Sequence, residues 1–231
     1  MTRALPKVFC ASALLIGAIG EARAQAPAGT NPPSASLQIL VGAHPHAVSL
    51  SLDGRELYPG LQAGARISNF GVTNRTLMLK IQKTGTEDAK EFPLNFVFGK
   101  AYTLCVLGDF APLPAKEGRD GKKKPDFRIE ALLLENEKSA GSSVKVRAIN
   151  GLTQRGIELK RGEEVVCRAQ PGQAGSSVGL PPDLYLKASD GQTTESLYLA
   201  QSPPAANISI IFYEREGKMA FKAMTERTEA P

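Results

Sequence analysis

The chain has 231 residues, 42% of them apolar and 22% charged, with a formal net charge of +5. That length and balance exclude a disulfide-stapled miniprotein and a disordered chain. With 22 Gly, 16 Pro and no Trp, the composition favours many short strands joined by turns.

At the N-terminus a basic start (Arg3, Lys7) runs into an apolar stretch from Val8 to Ile19, and Ala22-Arg23-Ala24 offers a small-x-small cleavage site before Gln25. Residues 1–24 therefore read as a signal peptide, which places the mature chain in the periplasm or beyond, secreted or at the cell surface. Cys10 lies inside the apolar stretch rather than after it, which argues against a lipidated cysteine. No later run approaches about 18 uninterrupted apolar residues, so no transmembrane segment is expected. The leader carries three basic residues and Glu21, so cleavage lowers the net charge by two.

Residues 25–36 hold three prolines and no periodicity, the pattern of a flexible linker. From Leu37 onward, short apolar or alternating runs recur: Leu37–Val41, Val48–Leu52, Arg66–Phe70, Leu77–Ile81, Phe92–Val97, Tyr102–Leu107 and Phe127–Leu134. Turn signals fall between them, among them Asp53-Gly54, Pro59-Gly60 and Gly99-Lys100. Val48-Ser49-Leu50-Ser51-Leu52 ahead of Asp53-Gly54 is the clearest hairpin. Glu130–Lys138 has helix-forming residues but no cap and little length, so it reads as a strand.

A second half repeats the first. Val144–Ile149 matches Leu37–Val41, Gly156–Lys160 matches Val48–Leu52, Asp183–Ala188 matches Leu77–Ile81, Asn207–Tyr213 matches Ala101–Leu107, and Met219–Met224 matches Phe127–Leu132. An internal duplication is the economical explanation. The expected fold is all-β: two tandem antiparallel β-sandwich domains, Ig-like or jelly-roll-like, over 37–138 and 139–231, the second with a short C-terminal tail. Residues 111–126 stand where the second half has only the tight turn Glu214-Arg215-Glu216-Gly217-Lys218, and so form an insertion in one copy.

Two short runs carry a resemblance. Val144-Lys145-Val146-Arg147-Ala148-Ile149-Asn150 looks like a V-R-V-x-N opening, and Gly99-Lys100-Ala101-Tyr102-Thr103 looks like a G-K-x-Y-T strand start. Both are marks of exported bacterial β-sandwich repeats classified as a domain of unknown function, and the layout of residues 37–226 resembles the AlgF family of alginate O-acetylation accessory proteins. Each half carries one of the two marks. The resemblance implies a non-catalytic periplasmic adaptor in exopolysaccharide O-acetylation or export, with a periplasmic or membrane-bound polysaccharide O-acetyltransferase as partner. It carries over no binding residues, because neither run is a binding motif.

The basic insertion is the surface feature that invites a partner. Arg119, Lys122, Lys123, Lys124 and Arg128 are the candidate binding residues for an anionic polysaccharide or the acidic face of another protein. The alternative is a solvated hairpin tip whose lysines serve solubility. Nucleic acid is disfavoured by export and by the absence of aromatics interleaved with the lysines.

Catalytic signatures are weak, and no catalytic residue, cofactor or metal site is assigned. His44 and His46 flank Pro45 without a visible cluster of further ligands. Gly175-Ser176-Ser177-Val178-Gly179 fits G-x-S-x-G, but that turn needs a helix after it, and Leu180-Pro181-Pro182 follows. A secreted serine hydrolase using Ser177 is the least favoured reading. Gly108-Asp109-Phe110 has phenylalanine where an esterase of the G-D-S type has its nucleophile. Cys105 and Cys167 fall in different halves and read as two buried thiols, with a bridge as the alternative. The alternative class of function is a cell-surface structural or carbohydrate-binding repeat protein.

Overall fold

Strict alternation marks a strand with one wet face, and an unbroken apolar run marks a strand covered on both faces. The structure is a computed structural model that describes residues 34–117, 123–137, 142–182, 184–199, 206–226 and 228. The leader and most of the linker lie outside these. Among the described residues there is no helix, and the fold is all-β.

The first half contains β1 (Ala35–Val41), β2 (Val48–Leu52), β3 (Arg55–Leu61), β4 (Arg66–Val72), β5 (Thr76–Lys83), β6 (Ala89–Asn95), β7 (Ala101–Leu107), β8 (Pro112–Glu117), β9 (Lys123–Phe127) and β10 (Glu130–Glu135). The second contains β11 (Val144–Asn150), β12 (Ile157–Arg161), β13 (Glu164–Ala169), β14 (Val178–Leu180), β15 (Leu184–Ser189), β16 (Thr194–Leu199), β17 (Asn207–Arg215) and β18 (Lys218–Glu226). Two four-stranded sheets make each half: β10-β7-β1-β4 over β3-β2-β5-β6, and β18-β17-β11-β14 over β13-β12-β15-β16. Strand order therefore repeats one for one, with β8 and β9 as the insertion. The sheets are antiparallel except for one central parallel pair in each half, β1 with β7 and β11 with β17.

Register makes the duplication exact at the residue level. Ser36, Gln38 and Leu40 face Ala101, Thr103 and Cys105, just as Lys145, Arg147 and Ile149 face Asn207, Ser209 and Ile211. Leu132 lies opposite Cys105 and Lys222 opposite Ile211, so β10 is the counterpart of β18. The run Phe127–Leu134, expected as one strand, is the end of β9 and most of β10, interrupted at Arg128 and Ile129. The predicted Asp53-Gly54 hairpin forms, with both residues at positive φ (47° and 78°) as a two-residue turn matching strand twist requires.

Each half has its own core between its sheets. Leu37, Ile39, Leu50, Leu79, Ile81 and Leu104 centre the first, and Val146, Leu159, Leu186, Leu197, Ile210 and Phe212 the second. A third cluster, Leu40, Cys105, Leu107, Ile149, Ile211, Tyr213 and Met224, joins them. These residues sit on the outward faces of β1, β7, β11, β17 and β18, so the two inner sheets pack back to back. That second covering explains why β1 and β7 are buried along their whole length, and residues 32–231 form one compact unit.

Two equivalent glycines let the halves meet. Gly42 and Gly151 follow β1 and β11, and their amides donate to Val106 and Phe212 carbonyls at 2.8 Å each. A Cβ on Gly151 would lie 2.7 Å from the Phe212 oxygen and 2.9 Å from the Gly42 oxygen, a backbone approach open only to glycine.

Candidate functional site

The basic insertion folds as a two-stranded ribbon, β8 with β9, which pairs with no other strand among the described residues. Its root is fixed from the first half's core. Phe127 is buried and packs against Phe110, with ring centroids 5.5 Å apart. Lys90 on β6 reaches Asp126 at 3.0 Å, donates to the Phe127 carbonyl at 2.8 Å and lies 3.6 Å from Glu130. Arg128 grips Asp109 through two parallel bonds, Nε to Oδ1 at 3.1 Å and Nη2 to Oδ2 at 2.9 Å, the strong bidentate geometry.

Arg128, expected among the partner-facing cations, is thus tied to Asp109 at the ribbon root. Lys123 and Lys124 lie on β9, opposite Glu117 and Lys116. Arg119 and Lys122 lie outside the described residues, as do the side chains of Lys123 and Lys124. The sequence signal for this site was the charge run, and it carried no information on which cation the root would consume.

The residues of the V-R-V-x-N-like run are architectural. Arg147 bridges the halves: its Nη2 donates to Asn136 Oδ1 at 3.1 Å and pairs with Glu226, and its Nε lies 3.4 Å from Ser209 Oγ. Ser209 also donates to Glu226. Across the interface Asn136 Oδ1 accepts from Thr103 Oγ1 (3.0 Å), which accepts from Gln38 Nε2 (3.0 Å). Arg147 and Glu226 are 12% and 4% exposed at their side chains. Asn150, fully buried, donates to the Arg155 and Ala169 carbonyls (2.7 and 3.1 Å) and accepts from the Leu152 amide (2.9 Å), fixing the loop after β11. In the G-K-x-Y-T-like run, Lys100 pairs with Glu135, and Tyr102 accepts from the Val97 amide at 3.0 Å.

A polar cleft of about 580 Å³ opens between the halves, lined by His44, Asp109, Thr153, Arg155, Gln192 and Glu214 among others. Arg155 is held from behind by Asp190 at 2.6 Å. Burial of the Asp190 carboxyl works to raise its pKa, but the Thr193 and Gln192 amides and the Thr193 hydroxyl bond the charged form, and with Arg155 beside it they hold the group below its ordinary value. No sequence motif marked this cleft, because its residues come from four separate loops and the end of β17.

The other sequence candidates are dispersed. His44 reaches that cleft, while His46 is exposed in the same loop. Among the described residues no group of three or more His, Cys, Asp or Glu is placed to hold a metal ion. Ser177 precedes a strand, β14, where a nucleophile elbow has a helix, and it borders a different pocket with Glu135, Lys145, Arg147 and Glu226. Cys105 and Cys167 are both unbridged and buried. Burial pushes the Cys105 thiol up to about 12, with Arg147 opposing and Glu226 adding to the shift, and burial also raises Cys167. No helix among the described residues is long and apolar enough to cross a membrane.

No protein-family model matches this chain, and no curated protein does.

Proposed function

We propose that the protein is a non-catalytic extracytoplasmic adaptor, with the β8–β9 ribbon as its docking element. The observation that carries this reading is the ribbon itself: a self-paired, rooted projection that interrupts one copy of a duplicated scaffold and bears the chain's densest run of lysines. Its root charges are neutralised internally by Lys90–Asp126 and Arg128–Asp109. The root therefore holds position while the sequence of the tip supplies the cationic side chains Arg119, Lys122, Lys123 and Lys124. Such a strip attracts an acidic partner surface or an anionic polysaccharide and steers its approach. Back-to-back packing of the two inner sheets gives the ribbon a stiff base, as an adaptor between two other components needs.

By the resemblance of layout, the protein partner is a periplasmic or membrane-bound polysaccharide O-acetyltransferase. Pull-down from envelope extract with the mature chain, beside a variant with Lys122, Lys123 and Lys124 changed to Glu, tests this. The acetyltransferase is expected with the wild type and not with the variant. Absence of any acetyltransferase from both samples overturns the reading.

A further inference from the structure

The outer face of the β13-β12-β15-β16 sheet carries two exposed tyrosines side by side. Tyr185 and Tyr198 lie directly opposite each other in register, flanked in their strands by the fully buried Leu186 and Leu197. They are 57% and 65% exposed, and their ring centroids are 6.4 Å apart. Large aromatic rings left in water at adjoining positions offer a flat surface with polar hydroxyl ends.

Two residues along β15, and therefore on the same face, stands the exposed Lys187, opposite Ser196 on one side and Lys160 on the other. Two lysines in direct register are unfavourable to each other. Lys160 is partly relieved by Glu158 at 3.3 Å, and Arg168 is taken up by the same carboxylate at 2.9 Å. Lys187 has no ion pair among the described residues. The face thus presents an aromatic pair beside an uncompensated positive charge.

The duplicate copy supplies an internal control. By register, Met78 and Pro93 occupy the places of Tyr185 and Tyr198, Lys80 with Glu91 opposite occupies that of Lys187 with Ser196, and Ser51 occupies that of Lys160. The first half keeps the scaffold but has no rings at these places, and its lysine stands opposite a carboxylate in register.

We infer that this face binds an acidic polysaccharide, a chain of carboxylated sugars whose ring faces stack on Tyr185 and Tyr198 while a carboxylate meets Lys187. The C–H face of a pyranose is apolar and matches an aromatic plane. Its hydroxyls are served by the tyrosine oxygens and by Ser196, and its carboxylate relieves the Lys187–Lys160 repulsion. A neutral glycan lacks the last contact. This inference does not rest on the adaptor reading, and it places glycan binding in the half opposite to the ribbon.

Calorimetric titration of the mature chain with oligogalacturonate at low salt, beside neutral malto-oligosaccharide, tests it. Saturable binding of the acidic oligomer is expected, weakening as salt rises. Tyr185→Ala with Tyr198→Ala should lower affinity about tenfold or more, and Lys187→Glu severalfold with a flatter salt dependence. All three side chains are exposed, so the fold should be retained, and unchanged circular dichroism checks this. Met78→Ala, at the place of Tyr185 in the first half, should bind as the wild type does. No saturable binding by the wild type, equal binding of the neutral oligomer, or full binding by the tyrosine and lysine variants overturns the inference. Binding abolished by changing Lys122, Lys123 and Lys124 to Glu, while the tyrosine and lysine variants bind fully, overturns it too and moves the glycan to the ribbon.

Discussion

The two halves share strand order, register and the parallel central pair, yet differ wherever a residue leaves its own core. At one equivalent position the first half has Gln38 against Thr103 and the second has Arg147 against Ser209. One copy carries the β8–β9 ribbon, and the other the Tyr185–Tyr198 pair. Inward-facing positions of the duplicated sandwich are constrained by packing, while outward ones have diverged. Where outward faces meet, they became a core of their own.

The largest effect is expected where the two halves differ at their shared centre. Arg147→Met should destabilise by about 3–5 kcal/mol in urea unfolding, because it leaves Glu226 buried without its cation. Gln38→Leu, at the equivalent place, should cost about 1 kcal/mol, the loss of one neutral hydrogen bond. Adding Glu226→Leu to Arg147→Met should recover most of the loss, since both charges then leave together.

Next in size is the glycine pair. Gly151→Ala should cost roughly 1–3 kcal/mol, as its Cβ meets two backbone oxygens that cannot move aside. The same change at Gly42 should cost less, because its nearest neighbour, at 2.9 Å, is the flexible end of Ile211. Equal effects would show that the halves approach symmetrically and contradict the geometry found.

A smaller effect is present at neutral pH and lost in acid. Asp190 titrates below its ordinary value of 3.8 when folded, so its contribution is complete above that pH and is lost as pH falls through the lower folded value. Asp190→Asn should therefore lower stability at pH 7 by about 1–2 kcal/mol. It should also flatten the acid limb of the stability profile measured by urea titration from pH 7 to 2.

The two thiols differ in burial and should differ in reactivity. Cys105, at the join and pushed up to about 12, should resist iodoacetamide at pH 8 until global unfolding. Cys167 is 6% exposed beside a loop and should be labelled first by slow local opening. Mass spectrometry of timed samples distinguishes the order.

Much of the scaffold was legible in the sequence. Val48–Leu52 alternates, and Asp53-Gly54 demands a tight turn, so β2 and its hairpin followed from period and φ alone. Strands β13, β14 and β16 went unread: β14 is three residues long, and β16 carries a polar start (Thr194, Glu195, Ser196). β3 was obscured by Pro59-Gly60, which sits inside a bulged edge strand rather than a turn.

The join was written in the sequence as apolar runs such as Leu104–Leu107, whose second apolar face needs a second cover. What covers it is a tertiary fact that no local pattern states. The sites were less legible still. The ribbon's lysines stood out as charge, whereas Arg128 was distinguishable from them only by its place opposite Asp109. Tyr185 and Tyr198, thirteen residues apart in sequence, become a pair only through strand register.

Two copies of one sandwich share a core through their inner sheets and form one compact unit whose halves carry different surfaces. Urea unfolding followed by far-ultraviolet circular dichroism, with hydrogen exchange of β7 and β17 amides in parallel, tests it most directly. A single transition is expected, with amides of both strands exchanging at the same free energy as that transition. Two separated transitions, or β7 opening while β17 stays protected, would contradict it.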